Sequence, residues 1–321
     1  MGGLAGKRTD MDRIRTIAIV GLGAVGASYL SRISERVPIE DIRVIASGDR
    51  ASRIRAGVEV NGVKYFFPVQ DPDELSEAAD LVIFAVKNYH LAESINDVKN
   101  QIGPGTIILS LLNGITSEGL IAETYGWDRL LFSIVMGLDA TREGESTVYS
   151  SLGRIQFGEA INEKRDYSRK VPLLKEFFER AGVPFEIHED MKRALWKKFM
   201  MNAGVNQTSA ILRCSYGAIR KIPETRAIVR AAMEETRLVA CREGAALTEE
   251  DVTDALEALD GFSSDGKTSM CQDVEACRKT EADIFGGTIA EFGRRHGVNT
   301  PVNETLFRLI KAIEASYLYM Q

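Results

Sequence analysis

The stretch AIVGLGAVGASYL, residues 18–30, decides the fold. Gly21, Gly23 and Gly26 sit at a G-x-G-x-x-G spacing between the apolar run Ile17–Val20 and an apolar-periodic stretch, Ala24–Arg36. The run lacks polar alternation, as central parallel strands do. The stretch after it predicts a helix with Val25, Tyr29, Leu30 and Ile33 toward the core. A strand that turns through glycines into a helix is the context a dinucleotide fingerprint requires. Gly21 permits the tight turn, Gly23 lets the backbone approach a pyrophosphate, and Gly26 allows close helix–strand packing. The turn as a whole, with Leu22, Ala24 and Val25, offers free N–H groups at the positive end of a helix dipole. The bland alternative is a glycine-rich βα turn without a ligand. The strand–turn–helix context and the βαβ pattern downstream favour the dinucleotide.

The rest of the chain supplies that pattern. Strands are predicted at Arg43–Ala46, Leu81–Val86 and Thr106–Leu112, with a helix over about His90–Lys99 between the last two. Leu130–Met136, Arg154–Phe157 and Pro184–Ile187 read as further strands. Alternation of this kind predicts an α/β fold with a parallel sheet covered by helices. After about Glu189 the character changes. DMKRALWKKFMMNAGVNQTSAIL reads as one long helix with Asp190 as its N-cap. Helices follow at Thr225–Gly244, Thr248–Leu259, Thr268–Phe285 and Pro301–Met320, with no comparable strand signal. The expected organisation is an extension over 1–14, a nucleotide-binding domain over 15–189 and a helical domain over 190–321.

Composition narrows the function. The 321 residues suit two domains, and 45% hydrophobic with 27% charged residues is an ordinary globular mix. A net charge of −6 argues against a nucleic-acid or acidic-membrane binder. The four cysteines form no C-x-x-C pair, and the three histidines show no ligand spacing with them. No zinc site is expected, and unpaired thiols fit a reduced, cytoplasmic compartment. No apolar run approaches the ~20 residues of a membrane helix. MGGLAGKRTDMDR has no apolar core of the kind a secretory leader carries, so residues 1–14 read as a disordered extension and the fold as starting near Arg15.

The second strand discriminates between nicotinamide cofactors. An acidic residue at its tip holds the 2′-hydroxyl of NAD. Here the tip reads Ala46-Ser47-Gly48-Asp49-Arg50. Ser47 and Arg50 suit a 2′-phosphate, a hydroxyl and a planar guanidinium. Asp49 is the contrary sign. The expectation is NADPH, with a solvated loop as the bland reading of Arg50 and Arg53.

A second informative stretch is WKKFMMNAGVNQTSAIL, residues 196–212. Lys198, Asn202 and Asn206 are four apart, and Ser209 returns to within about 20° of Lys198 at ~100° per residue. The helix is otherwise apolar nearly all round, so this is a narrow polar seam. Buried polar groups need partners. The seam residues either satisfy one another and the nearby backbone or face a polar ligand. Lys197 lies one step off and reads as solvated. Farther on, Ser269-x-x-Gln272 resembles a capping box, and Glu281 reads as a surface carboxylate later on the same helix.

GLGAVG, VKNYH (86–90), LLNGI (111–115), WKKFMMNAGVNQTSA and SMCQDVEACRKTEAD together resemble the ketopantoate reductases (2-dehydropantoate 2-reductases), in that family's order and from about residue 16 to 320. The resemblance implies a Rossmann-type parallel-sheet domain, an all-helical C-terminal domain and an active site between them. The reaction it implies is NADPH-dependent reduction of a 2-keto acid, ketopantoate to pantoate, in pantothenate and coenzyme A biosynthesis. It makes Lys198 the catalytic lysine and Glu281 a catalytic glutamate at the cofactor–substrate junction. Asn202, Asn206 and Ser269 become substrate-binding residues, and Lys87, Asn113 and Ala140 cofactor contacts. The chain departs from the family pattern at two places in the second half, and the one at Tyr216 bears on the substrate. Asn206-Gln207-Thr208-Ser209-Ala210 stands where the family often has Asn-Pro-Leu-Thr-Ala, and Tyr216 precedes Gly217 where the family has a substrate-binding asparagine. Ser47 also replaces an arginine often found at the second strand's tip. Two rivals stay open: a dehydrogenase of the same architecture acting on another 2-keto or hydroxy acid, and an NADPH-sensing module without turnover. The oligomeric state is open as well, a homodimer through the helical half being one arrangement.

Overall fold

The computed structural model describes residues 13–144, 146–161 and 167–319. The expected N-terminal extension therefore lies outside the described residues up to position 12. Its last two residues are ordered into the fold. Arg13 pairs with Glu176 at 3.5 Å, and Ile14 is buried in the first core. The fold thus starts before Arg15, because Ile14 is an apolar side chain with a core to enter.

The chain divides into two compact units, residues up to Leu112 with Thr116–Met191, and Asn113–Ile115 with Lys192–Gln321. The first holds β1 (Ile17–Val20), α1 (Ala24–Ser34), β2 (Ile42–Ile45), α2 (Gly48–Arg55), β3 (Val58–Val60), β4 (Val63–Tyr65) and β5 (Val69–Gln70). It continues with β6 (Leu81–Phe84), α3 (Leu91–Asp97), β7 (Ile107–Ser110), α4 (Ser117–Tyr125), β8 (Leu130–Met136), β9 (Asp139–Glu143) and β10 (Ser146–Ser151). β11 (Arg154–Gly158), α5 (Lys170–Ala181) and β12 (Phe185–Ile187) complete it.

Eight strands form one sheet in the order β12-β11-β8-β7-β6-β1-β2-β5, parallel except where β11 runs against β8. Both faces are covered. Ile17, Ile19, Ile42, Val44, Leu81 and Ile83 pack into one core, while their neighbours Ala18, Val20, Ile45, Val82 and Phe84 pack into another. Side chains alternate along a strand, so a strand buried on both faces must be apolar at every position. That is why the runs lack polar alternation. β1 sits where the strand order reverses, β2 on one side and β6 on the other. The carboxyl ends of strands at such a point flank a ligand crevice in doubly wound sheets.

A second sheet, β4-β3-β10-β9, lies in the same unit and was not expected from sequence. Its strands are short and mostly exposed, so they lack an apolar run. The signal that finds its first hairpin is Asn61-Gly62, with φ +49° and +77°, the two positive values a tight two-residue turn demands. α1 packs against β3, β9 and β10. Its Tyr29 is buried and donates to the Leu152 carbonyl at 2.8 Å.

The second unit is helical: α6 (Met191–Leu212), α7 (Tyr216–Lys221), α8 (Pro223–Arg242), α9 (Glu249–Ala258), α10 (Ser269–Glu275), α11 (Gly286–His296) and α12 (Pro301–Ser316). Trp196, Phe199 and Phe285 centre its core, with Trp196 edge-on to Phe199 and Phe199 stacked on Phe285. Among the described residues no helix is long and apolar enough to cross a membrane. The expected helix over Thr268–Phe285 is corrected. α10 stops at Glu275, Cys277 takes φ +51°, and the Arg278 N–H returns to the Asp273 carbonyl at 2.8 Å.

Asp251 locks the start of α6 to the start of α9. It is 2% exposed and accepts from the Thr248 N–H in a capping box. Arg193 reaches it at 2.6 Å and Lys197 at 3.1 Å, so Lys197 is paired rather than merely solvated. Burial alone would raise the carboxyl pKa, but the Thr248 N–H, Lys197 and Arg193 together hold it below the usual carboxylate range. Its stabilisation is therefore complete above the unfolded value of about 3.9 and is lost as pH falls through the lower folded value. Asp251→Asn should lower the unfolding free energy by about 2 kcal/mol at pH 7, from the lost cap and charged hydrogen bonds. In urea titrations the gap to wild type should narrow toward pH 3; an equal gap at both pH values would assign the loss to packing.

Candidate active site

Three glycines divide the work of the turn after β1. Gly21 has φ +96°, and a Cβ there would lie 2.7 Å from the Ala85 carbonyl, so only glycine fits beside the end of β6. A Cβ on Gly26 would stand 2.1 Å from the Gly21 carbonyl oxygen. Gly23 differs: a Cβ there meets nothing within 4 Å. Among the described residues no neighbour requires glycine at 23. Gly23 is also the N-cap of α1 and carries no capping side chain, and the first turn has no acidic residue. The N–H groups of Ala24, Val25 and Gly26 precede the first intrahelical bond, Ala27 to Gly23 at 2.9 Å. An anion at this helix start meets donors and a favourable dipole.

The strand tips around the turn add polar groups. Ser47 is the exposed N-cap of α2 and makes no capping bond; Arg50 follows in the first turn, half-buried. After β6, Lys87 is half-buried at the head of the short turn Asn88–His90. Asn88 Nδ2 is buried without a partner among the described residues, a polar atom that sequence reading passed over. These features fit the phosphates and amide of a dinucleotide. Ala140 lies in β9, opposite Tyr149.

In the second unit the polar seam resolves into two parts. Ser209 is fully buried and self-satisfied, donating to the Asn206 carbonyl at 3.0 Å and lying 2.6 Å from the Thr268 hydroxyl. Lys198 is half-buried and donates to Asn113 Oδ1 at 3.3 Å. The other end of that amide, Nδ2, donates to Glu281 Oε2 at 3.4 Å. Asn113 belongs to the second unit, with Ile115 packed on its core. Ammonium, amide and carboxylate, 85 and 168 residues from one another, thus form one connected group.

Two expectations are corrected here. Ser269 does not cap α10: Thr268 does, accepting from the Cys271 N–H at 3.1 Å, and Ser269 is exposed at the first helical position. Glu281 is not a surface residue of that helix. It lies beyond the helix end, 7% exposed, ahead of the short turn Ala282–Ile284. Asn202 is half-buried and Asn206 7% exposed on α6.

Residues 17–162 match the family model described as ketopantoate reductase PanE/ApbA, and residues 190–314 its C-terminal model. The chain belongs to this family. It is an oxidoreductase of the 2-dehydropantoate 2-reductase type. Curated relatives of that name include proteins of Aquifex aeolicus, 27% identical over 92% of this chain and 96% of the relative, and Archaeoglobus fulgidus, 26% identical over 94% and 99%. Among solved structures, a 2-dehydropantoate 2-reductase from Geobacter metallireducens is similar with TM-score 0.79 and 27% identity, over 92% of this chain and 99% of that one. A D-mandelate dehydrogenase solved with NADH and anilino(oxo)acetate shares the fold, with TM-score 0.84 and 23% identity over 94% and 99%.

Within this reductase, Tyr216 is not a loose replacement. Its ring packs edge-on against Phe262 with centroids 4.9 Å apart, and its N–H donates to the Gly266 carbonyl at 2.9 Å. The glycine geometry separates two variants. Gly26→Ala should cost about 1–3 kcal/mol, because its new methyl overlaps a backbone oxygen. Gly23→Ala should cost no more than about 1 kcal/mol, the difference between glycine and alanine at an N-cap. Urea unfolding of both variants measures this, and equal losses would contradict the assigned roles.

Proposed function

We propose that this protein reduces a 2-keto acid with NADPH, ketopantoate to pantoate foremost, which places it in pantothenate and coenzyme A biosynthesis. The observation that carries this reading is the Lys198–Asn113–Glu281 group. An ammonium beside a neutral amide that leads on to a carboxylate is suited to meet a substrate carbonyl oxygen. When bound, the nicotinamide supplies the hydride that the carbonyl carbon accepts. Lys198 stabilises the negative charge that grows on the carbonyl oxygen and gives it a proton. Glu281 orients the group through Asn113. Asn202, Asn206 and Ser269 bind the substrate's carboxylate and hydroxyl by neutral hydrogen bonds.

The glycine turn, with Leu22, Ala24 and Val25, holds the pyrophosphate. Ser47 and Arg50 take the 2′-phosphate, and Lys87 and Ala140 lie along the cofactor. In this reading the first unit binds the cofactor and the second the substrate. A second reading keeps the chemistry and changes the acid. Tyr216, fixed against Phe262 where the family has asparagine, favours a 2-keto acid bearing an apolar group in place of a hydroxyl. A third arrangement, the homodimer, remains part of the proposal for the assembled enzyme.

Oxidation of NADPH with a panel of 2-keto acids, followed at the reduced-nicotinamide absorbance, tests the reading and chooses between substrates. Lys198→Ala should reduce kcat by at least about 100-fold with NADPH affinity retained; a near-normal kcat removes Lys198 from the chemistry. Arg50→Ala should weaken NADPH far more than NADH. Equal weakening would mean that the guanidinium does not recognise the extra phosphate.

A further inference from the structure

The segment that carries Glu281 has little structure of its own. Between the end of α10 at Glu275 and the start of α11 at Gly286 it holds only the three-residue turn Ala282–Ile284. It departs from α10 through a residue with positive φ. Such a segment keeps a side chain in place only if something outside it grips the backbone.

Glu314 provides that grip. It lies near the end of α12, and its Oε1 accepts from both the backbone N–H and the hydroxyl of Thr280, each at 2.7 Å. The Thr280 hydroxyl in turn accepts from the Ala282 N–H at 3.1 Å. The backbone on both sides of Glu281 is therefore tied to one carboxylate. The gripped backbone is enclosed: Thr280 is 1% exposed and Ala282 fully buried. The other oxygen, Oε2, meets Lys311 at 2.8 Å, and Lys311 also reaches Asp283 at 3.3 Å.

We propose that Glu314 is a positioning residue of this reductase, setting through Thr280 where the Glu281 carboxylate lies relative to Asn113 and Lys198. The inference rests on the reading of Glu281 as a residue of the reactive group. Burial would favour the protonated acid, but Lys311 and the two Thr280 donors outweigh it and hold the Glu314 pKa below the ordinary value. An ionised acceptor makes these bonds short and strong. Glutamine cannot substitute, because its amide would turn a donor toward the Lys311 ammonium. The group stands off the chemistry and acts only through the loop.

The test compares Glu314→Gln, Thr280→Val, Thr280→Ser and Glu281→Gln, with NADPH and ketopantoate as the assay and urea unfolding as the control. Thr280→Val removes both hydroxyl bonds, whereas Thr280→Ser keeps them. Glu314→Gln and Thr280→Val should each lower kcat about 10–100-fold, the scale of a displacement of roughly 1 Å at a reacting group, with KM for NADPH unchanged. Thr280→Ser should retain wild-type kcat. In the Glu281→Gln background, Glu314→Gln should cost no further kcat, since no carboxylate is left to position. A readout without turnover is the crystal structure of Glu314→Gln, in which the Asn113 Nδ2–Glu281 Oε2 contact should be lost. Overturning results are a slow Glu281→Gln beside a normal Glu314→Gln, an additive loss in the double variant, or an unchanged Asn113–Glu281 contact. A normal kcat in Glu281→Gln would sink the reading of Glu281 itself, and this inference with it.

Discussion

The side-chain amide of Asn113 is the point on which the proposed reactive group depends. An ammonium can only donate, and a carboxylate at neutral pH can only accept. A residue bridging them must offer an acceptor on one side and a donor on the other. Asparagine does so, and its two partners fix which way the amide faces. The distances, 3.3 and 3.4 Å, are long for such bonds. Each contributes little stability by itself. Catalytic contacts are often long in the unliganded state and tighten when substrate arrives.

The glycine turn shows a different economy. Gly21 and Gly26 are forced by contacts with neighbouring backbone, whereas at Gly23 the protein itself leaves the space open. The first two make the turn possible at the reversal of strand order, and the third leaves its surface bare. A sheet buried on both faces is what holds the turn still. The two strands beside the turn, β1 and β6, are apolar and buried at every position, so both of their faces are held by packing.

Much of the fold was legible because the first sheet's strands are short apolar runs that only a two-faced parallel sheet uses. β8 and the glycine turn fall where the sequence puts them. The second sheet was hidden because β9 and β10 are largely exposed, so that neither alternation nor an apolar run marks them. The break after α10 was hidden too. Nothing in CRKTE forbids a helix, and the bend depends on the Arg278 N–H finding the Asp273 carbonyl. The seam on α6 was visible as a periodicity, but Ser209 proved structural while Lys198 found a partner. Periodicity tells which residues share a face; it does not tell what lies opposite. Asn113 stands 85 residues from Lys198 and 168 from Glu281, and no local pattern carries that information.

The contrast between loose and tight bonds runs through α12. At its N-terminus the buried carboxylate of Glu235 accepts from the Val302 and Asn303 N–H groups at 2.9 Å, satisfying donors that the helix itself cannot. The Asn303 side chain accepts from Gln207 on α6, the helix that carries Lys198. At the other end of α12, Glu314 holds the segment that carries Glu281. One helix is therefore bonded to the supports of both ionisable residues of the reactive group. Buried polar networks of this kind add little net stability, since each hydrogen bond replaces one to water. What they add is uniqueness of arrangement, because a misplaced donor or acceptor in a dry interior is costly. The bonds at Glu235 and Glu314 are short, 2.7–2.9 Å, while the one that joins α12 to α6, from Gln207 to Asn303, is 3.2 Å. The bonds of the proposed reactive group are longer, 3.3 and 3.4 Å. α12 thus reaches both the helix that carries Lys198 and the segment that carries Glu281, so a shift of this one helix would be felt at both.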